Sequence, residues 1–281
     1  MPRSTRLTHA VALAAGALGA TALTLTGVAS ANHADHPGRP VPAPPAAPSR
    51  ADQIQNIDQV KTAIKGYYGD TLDPQTVDPV TGAKDLHTFS PTGSYAREVA
   101  GITKDATRYL AHHRARDGRK AILLDVDDTS LNTYNYEIYS NFVYNPTTNA
   151  AFVNAASFPA VPTVPQLVNY ATSHGYTVFF LTGRPEAQRA GTATNLTQQG
   201  YPSVPADQLY LKDLTKPIYA SCYQPAQNKT CTTIQYKSLT RRYIESQGYD
   251  IVANFGDQYS DLSGGYSDRT FKLPNPMYYL P

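Results

Sequence analysis

The chain has 281 residues, 41% of them apolar, and carries 24 basic against 22 acidic side chains. That length suits one large domain or one domain with an inserted cap. The two excess basic residues, Arg3 and Arg6, both lie in the first 31 positions, so the remainder is formally neutral. Such a balance gives no sign of a nucleic-acid or anionic-membrane partner, which needs a clustered positive surface.

After the basic start comes an apolar run from Ala10 to Val28, closed by Ala29-Ser30-Ala31. A charged start, an apolar middle and a small-x-small end predict a secretory signal peptide over residues 1–31, hence a secreted protein with no membrane anchor after cleavage. Residues 32–50 are rich in Pro and Ala, as in Pro40, Pro42, Pro44, Pro45 and Pro48, and read as a solvated linker. The domain is expected over 51–281.

Ile54, Ile57, Val60 and Ile64 fall at helical spacing, so an amphipathic helix is predicted from about Ala51. A turn-rich segment with Pro74, Pro79 and Gly82 follows, then a second helix from about Ser94 to His113. His112 and His113 near its end suit the helix dipole better than a metal. Ala121-Ile122-Leu123-Leu124 reads as a buried parallel strand. A Tyr-rich insertion at about 132–162 is the expected cap. Thr163 can then cap a helix that ends at Gly175.

Tyr176–Leu181 is the second strand, and a helix is predicted from Pro185 to Gly200. Gln208–Leu211 is a third strand, and a helix runs from about Tyr236 to Gln247. Tyr249–Phe255 and Thr270–Leu273 complete the set. Strands alternating with helices predict an α/β fold, a parallel sheet with helices on both faces. Cys222 and Cys231 are expected to form a disulfide, since nearby thiols outside the cytoplasm usually pair.

The chemistry-bearing residues follow the strands. The first strand runs into Asp125-Val126-Asp127-Asp128-Thr129 and the second into Thr182-Gly183-Arg184. Lys237 opens a helix, and Gly256-Asp257 follows the fourth strand with Asp261 four residues on. Ligands of open parallel sheets bind at the carboxyl ends of the strands, so these groups can converge. Asp125, Asp127 and Asp257 in one cleft would strongly raise a pKa or demand a cation, and hard oxygen donors of that kind select magnesium. Lys237, Thr182 and backbone donors complement a phosphate. One of Asp125 and Asp127 can attack phosphorus while the other protonates the leaving alcohol and then activates water.

These four motifs, with the closing Lys272-Leu273-Pro274-Asn275-Pro276, resemble the haloacid dehalogenase (HAD) superfamily. Within it they resemble the class B acid phosphatase-like group, subfamily IIIB, which includes plant acid phosphatases and vegetative storage proteins. The resemblance implies an HAD-like Rossmannoid sheet and a secreted, magnesium-dependent acid phosphatase acting on a small phosphomonoester through an aspartyl phosphate. It makes Asp125 the nucleophile and Asp127 the general acid/base, and gives phosphoryl binding to Thr182 and Lys237, with the adjoining Gly183 and Arg184. It places Mg2+ on the Asp125 carboxylate, the Asp127 carbonyl and Asp257, with Asp261 in support.

Alternatives stay open at several positions. Asp128 can cap the turn, Arg184 can pair with a neighbour instead of substrate, and Asp261 can be a helix N-terminal acid. Tyr134, Tyr136, Tyr139 and Tyr144 can pack the cap or stack on a leaving group. Asn195-Leu196-Thr197 and Asn228-Lys229-Thr230 are glycosylation acceptors only in a host that glycosylates. A phosphotransferase or a storage or binding protein on the same fold are the competing functions. The leaving group and the oligomeric state carry no sequence code.

Overall fold

The computed structural model describes residues 41, 43–113 and 118–280. The expected signal peptide lies outside the described residues, as does the start of the Pro/Ala stretch. Residues 43–50 are exposed and form no helix or strand.

The first helix, α1 (Ile57–Tyr68), begins where the Asn56 side chain accepts a hydrogen bond from the Asp58 amide at 3.0 Å. The helix expected from Ala51 is therefore shorter: a single 3-10 turn, Ala51–Gln53, precedes it. Ile54 and Ile57 are 59% and 68% exposed, and the face that enters the core is formed by Ile64 and Tyr68. The turn-rich segment closes into a short antiparallel ladder of β1 (Thr71–Leu72) and β2 (His87–Thr88). Helix α2 (Ser94–His112) buries Tyr95, Val99, Ala106 and Leu110 as its spacing predicts. Beyond its end, His113 places Nε2 3.3 Å from Asp268 Oδ2, a tertiary contact that the dipole reading did not include.

Strand β3 (Arg119–Leu124) leads into the cap, which holds two helices unseen in the sequence, α3 (Tyr134–Tyr139) and α4 (Pro146–Asn154). Helix α5 (Val164–Ser173) follows. Thr163 does not cap it: the residue adopts φ 63° and its hydroxyl pairs with that of Thr103 at 2.7 Å. Strand β4 (Thr177–Pro185) extends through Thr182-Gly183-Arg184, so the helix expected at Pro185 starts later, as α6 (Arg189–Gln198) after a 3-10 turn at Glu186–Gln188. Then come β5 (Leu209–Lys212), α7 (Thr233–Ser246), β6 (Tyr249–Gly256), α8 (Tyr259–Leu262) and β7 (Arg269–Lys272). Helix α7 begins earlier than predicted because Thr232 and Gln235 form a capping box.

The five strands after the short ladder form one parallel sheet in the order β5-β4-β3-β6-β7. Alternate residues feed two cores. Ile122, Leu124, Val178, Phe180 and Val252 join Val99 of α2 and Val168 of α5 on one face. Ala121, Leu123, Phe179, Leu181 and Ile251 join Tyr236 and Ile244 of α7 on the other. From β3 the chain runs outward to β5, then returns to the opposite side of β3 with β6. The carboxyl ends of β3 and β6 thus flank the switch point where such sheets bind ligands. Cys222 and Cys231 form the expected disulfide, with Cα atoms 4.8 Å apart. It fastens the loop before α7, one residue from the Thr232 cap, and so anchors the helix that carries Lys237.

Candidate active site

Asp125 stands at the first position after β3. Its amide donates to the Phe255 carbonyl of β6 at 3.0 Å, and its own carbonyl accepts the Ser130 hydroxyl at 2.6 Å. These bonds fix the turn so that the carboxylate meets the Lys237 ammonium of α7. Lys237 also donates to the Leu181 carbonyl at 2.6 Å and pairs with Asp261 at 3.1 Å. Asp257 follows β6, and its Oδ1 accepts the Thr129 hydroxyl at 3.1 Å. A glycine is required just before it: a Cβ on Gly256 would stand 2.4 Å from the Asp261 Cβ. Only an absent side chain lets Asp261 reach back to Lys237.

Burial dominates the electrostatics. It pushes the Asp125 carboxyl well above the usual range, and Asp261, Asp257 and Asp127 add repulsion that Lys237 opposes. Asp257 is pushed up to about 8 by burial and by Asp261 and Asp128, while Asn275 and Gln258 pull the other way. Burial works against the Lys237 ammonium, but Asp125 and Asp261 overcome it and raise its pKa.

Asp125, Asp257 and Asp261 each bring a carboxylate oxygen within 4.8 Å of the others. One ammonium shared by Asp125 and Asp261 leaves this buried group short of positive charge. Three hard oxygen donors with excess negative charge fit a divalent cation. The Asp127 carbonyl accepts no hydrogen bond from the described residues.

The Asp127 side chain faces a different partner. Arg184 Nε lies 3.1 Å from both carboxylate oxygens, and Nη2 donates to Oδ1 at 2.6 Å. Arg184 Nη1 donates to the Thr192 hydroxyl at 2.9 Å. Of the two open readings for Arg184, the geometry gives the ion pair with a neighbour, and that neighbour is the expected general acid. Thr182 is fully buried, accepts the Arg184 amide at 3.1 Å and donates to Asp127 Oδ2 at 3.4 Å. Gly183 is exposed, with open space where a side chain would stand. The expected site residues therefore all gather at the ends of β3, β4 and β6 and the start of α7.

Two alternatives prove to be simultaneous. Asp261 is a helix N-terminal acid, accepting the Gln258 amide at 2.9 Å, and also the partner of Lys237. Asp128, at φ 53°, accepts the Thr133 amide at 3.0 Å and the Tyr278 hydroxyl at 2.8 Å, so it ties the cap to the C-terminal segment. The four cap tyrosines divide. Tyr134 and Tyr136 are fully buried, whereas Tyr139 and Tyr144 are exposed. Asn195 is fully buried and bonded both ways to Phe158, which removes its sequon as an acceptor in the folded chain.

Sequence reasoning missed Gln258, Asn275 and Tyr278, whose amides and hydroxyl bond to Asp257 and Asp128. Gln258 lies inside the Gly256–Asp261 motif and Asn275 inside Lys272–Pro276, which were the available signals; Tyr278 lies in neither. Sequence reasoning also missed Arg241, fully buried, whose guanidinium donates to the carbonyls of Asp261, Ser263 and Gly265 and fixes the loop behind Asp261.

A family model described as HAD superfamily, subfamily IIIB (acid phosphatase), matches residues 76–281. The stem 28 kDa glycoprotein of Glycine max is 34% identical over 60% of this chain and 65% of its own length. Acid phosphatase 1 of Solanum lycopersicum is 32% identical over 74% of this chain and 78% of its own length. The chain thus spans just under two thirds of the first relative and more of the second. Among solved structures, the class C acid phosphatase from Bacillus anthracis superposes with a TM-score of 0.55 at 22% identity, covering 67% of this chain and 80% of that one. That likeness is one of fold.

Proposed function

The chain belongs to the acid phosphatases of HAD subfamily IIIB, and from that membership we propose a secreted, magnesium-dependent hydrolase of small phosphate monoesters. The observation that carries the reading is the division between two carboxylates. Asp125 faces the Lys237 ammonium, while Asp127, two residues on, is gripped by Arg184. In this reading an Asp125 oxygen attacks phosphorus and the bond to the leaving oxygen breaks. Asp127 gives that oxygen its proton. Asp127 then takes a proton from water, whose oxygen displaces Asp125 and releases phosphate. Lys237 offsets charge at the attacking carboxylate, and Thr182 and the exposed Gly183 backbone face the phosphoryl group.

Mg2+ would be held by the carboxylates of Asp125 and Asp257 and the carbonyl of Asp127. When bound, it supplies positive charge against the transferring phosphoryl group. Secretion is supported by the leader-like start and by the disulfide. No helix among the described residues is long and apolar enough to cross a membrane.

Hydrolysis of p-nitrophenyl phosphate with added Mg2+ tests the proposal. Asp125→Asn should lower kcat at least about a thousandfold, since it removes the covalent route, and a chelator should abolish turnover. A fully active, folded Asp125→Asn protein refutes the mechanism. A phosphotransferase remains the second reading, because nothing about Asp125 prevents an alcohol from replacing water. Phosphate release below nitrophenol release in the presence of glycerol would favour it. A storage role predicts no turnover, and the intact Asp125 and Asp127 pair argues for turnover.

A further inference from the structure

Among the described residues, Asp257 is the one carboxylate of the cluster that no lysine or arginine side chain donates to. Its Oδ2 accepts two neutral amide donors, Gln258 Nε2 and Asn275 Nδ2, each at 2.7 Å, and its Oδ1 accepts the Thr129 hydroxyl at 3.1 Å. Each amide is held at its other end by the backbone of the C-terminal segment. The Met277 amide donates to Asn275 Oδ1 at 2.8 Å, and the Leu280 amide donates to Gln258 Oε1 at 2.9 Å. An amide whose oxygen is engaged in this way can present only its NH2 group at the opposite end. The segment itself is secured at three further points. The Tyr278 hydroxyl donates to Asp128 at 2.8 Å, Gln258 Nε2 lies 3.4 Å from the Tyr278 carbonyl, and the Ser260 hydroxyl donates to the Leu280 carbonyl at 3.0 Å.

We infer that residues 275–280 form a strap that positions Asp257 for a divalent cation, with Asn275 as its principal positioning residue. The choice of donor is the physical argument. A lysine or arginine at either amide position would orient the carboxylate but also neutralise it, and would compete with the cation. A neutral amide fixes the same oxygen and leaves the charge in place. Two donors on Oδ2 occupy that oxygen, so Oδ1, with one hydroxyl donor, keeps the larger acceptor capacity. An amide turned the other way would set a carbonyl oxygen against a carboxylate, and the Met277 and Leu280 amides prevent that. Outer partners of this kind commonly govern metal affinity by about 10–100-fold.

The inference rests on the proposed metal site, and binding of Mg2+ alone separates the two. Isothermal titration of the full chain with Mg2+, without substrate, is compared for wild type, Asn275→Ala and the similarly sized Asn275→Leu, with Asp257→Asn as the reference for a lost ligand. Thermal melts without metal run beside it. The expected result is an Mg2+ Kd raised about tenfold or more in Asn275→Ala and in Asn275→Leu, both of which remove the amide donor and add no charge. Folded Asn275 variants that bind Mg2+ as tightly as wild type overturn the strap alone, leaving the metal site and the phosphatase reading standing. Should Asn275→Ala fail to fold, Asn275→Leu decides by the same criterion. Wild type that takes up no Mg2+ overturns the metal site and the strap together.

Discussion

On the floor of the cleft, Asp125 and Asp261 share Lys237, and Asp257 accepts three neutral donors. In the cap, Glu137 of α3 is only 7% exposed, yet no lysine or arginine among the described residues forms an ion pair with it. Burial and the charge of Asp127 push Glu137 up to about 7. The floor is thus closed within itself: each of its carboxylates has protein donors before any ligand arrives. The cap places an unmatched acid near the reacting groups. The difference implies that the floor fixes one phosphoryl chemistry whatever the leaving group, while only the exposed rim of the cap, with Tyr139 and Tyr144, can change with little cost to the fold, since Tyr134, Tyr136 and Phe152 are core residues.

The strongest challenge to a self-contained floor is removal of its cation. Lys237→Met leaves Asp125 and Asp261 buried together without an ammonium. Breaking a buried pair from one side costs about 3–5 kcal/mol. Urea denaturation at pH 7 without metal should show a loss of that order, and saturating Mg2+ should recover part of it. A loss below about 1 kcal/mol, the worth of an exposed pair, would mean that the carboxylates are not held by Lys237.

Arg184 lies between the two regions, since it grips Asp127 and also lies over the Phe158 ring at 5.6 Å. Arg184→Met frees the Asp127 carboxylate to change rotamer. Misplacement of a catalytic group by about 1 Å can cost about a hundredfold, so kcat should fall by that order while KM changes less. Should KM rise with kcat unchanged, Arg184 would instead be a phosphate contact, the other reading its sequence position allowed.

The floor was legible in the sequence because its residues sit at fixed places relative to strong local signals. Asp125 follows an apolar strand, Thr182-Gly183-Arg184 completes another, and Asp257 follows a third. Strand ends of a parallel sheet converge whatever the loops between them do. The partners were less legible because hydrogen bonds between distant segments leave no periodic trace. Tyr278 bonds to Asp128 across 150 positions, and Arg184 bonds to Asp127 across 57. The cap helices escaped for a local reason: α3 has six residues and α4 nine, too few turns for a 3.6-residue period to stand out. Thr163 misled because its hydroxyl found Thr103 on α2, a tertiary partner, instead of its own helix.

The smallest expected effect tests the cap. A carboxyl near 4.5 when unfolded and raised to about 7 when folded binds more protons in the native state between those values. Its contribution therefore favours folding most at low pH and is lost as pH rises through about 7. A tenfold change in proton affinity is worth about 1.4 kcal/mol, and partial solvent access reduces the whole, so the loss is on the order of 2 kcal/mol. Glu137→Gln keeps the shape and removes the charge. Urea denaturation without metal should show the variant equal to wild type near pH 4 and more stable by about 1–3 kcal/mol at about pH 8. Turnover of p-nitrophenyl phosphate should stay within a few-fold of wild type, since the floor is intact. A variant less stable than wild type at that higher pH would show that Glu137 is matched by a favourable interaction after all, and the contrast between floor and cap would then disappear.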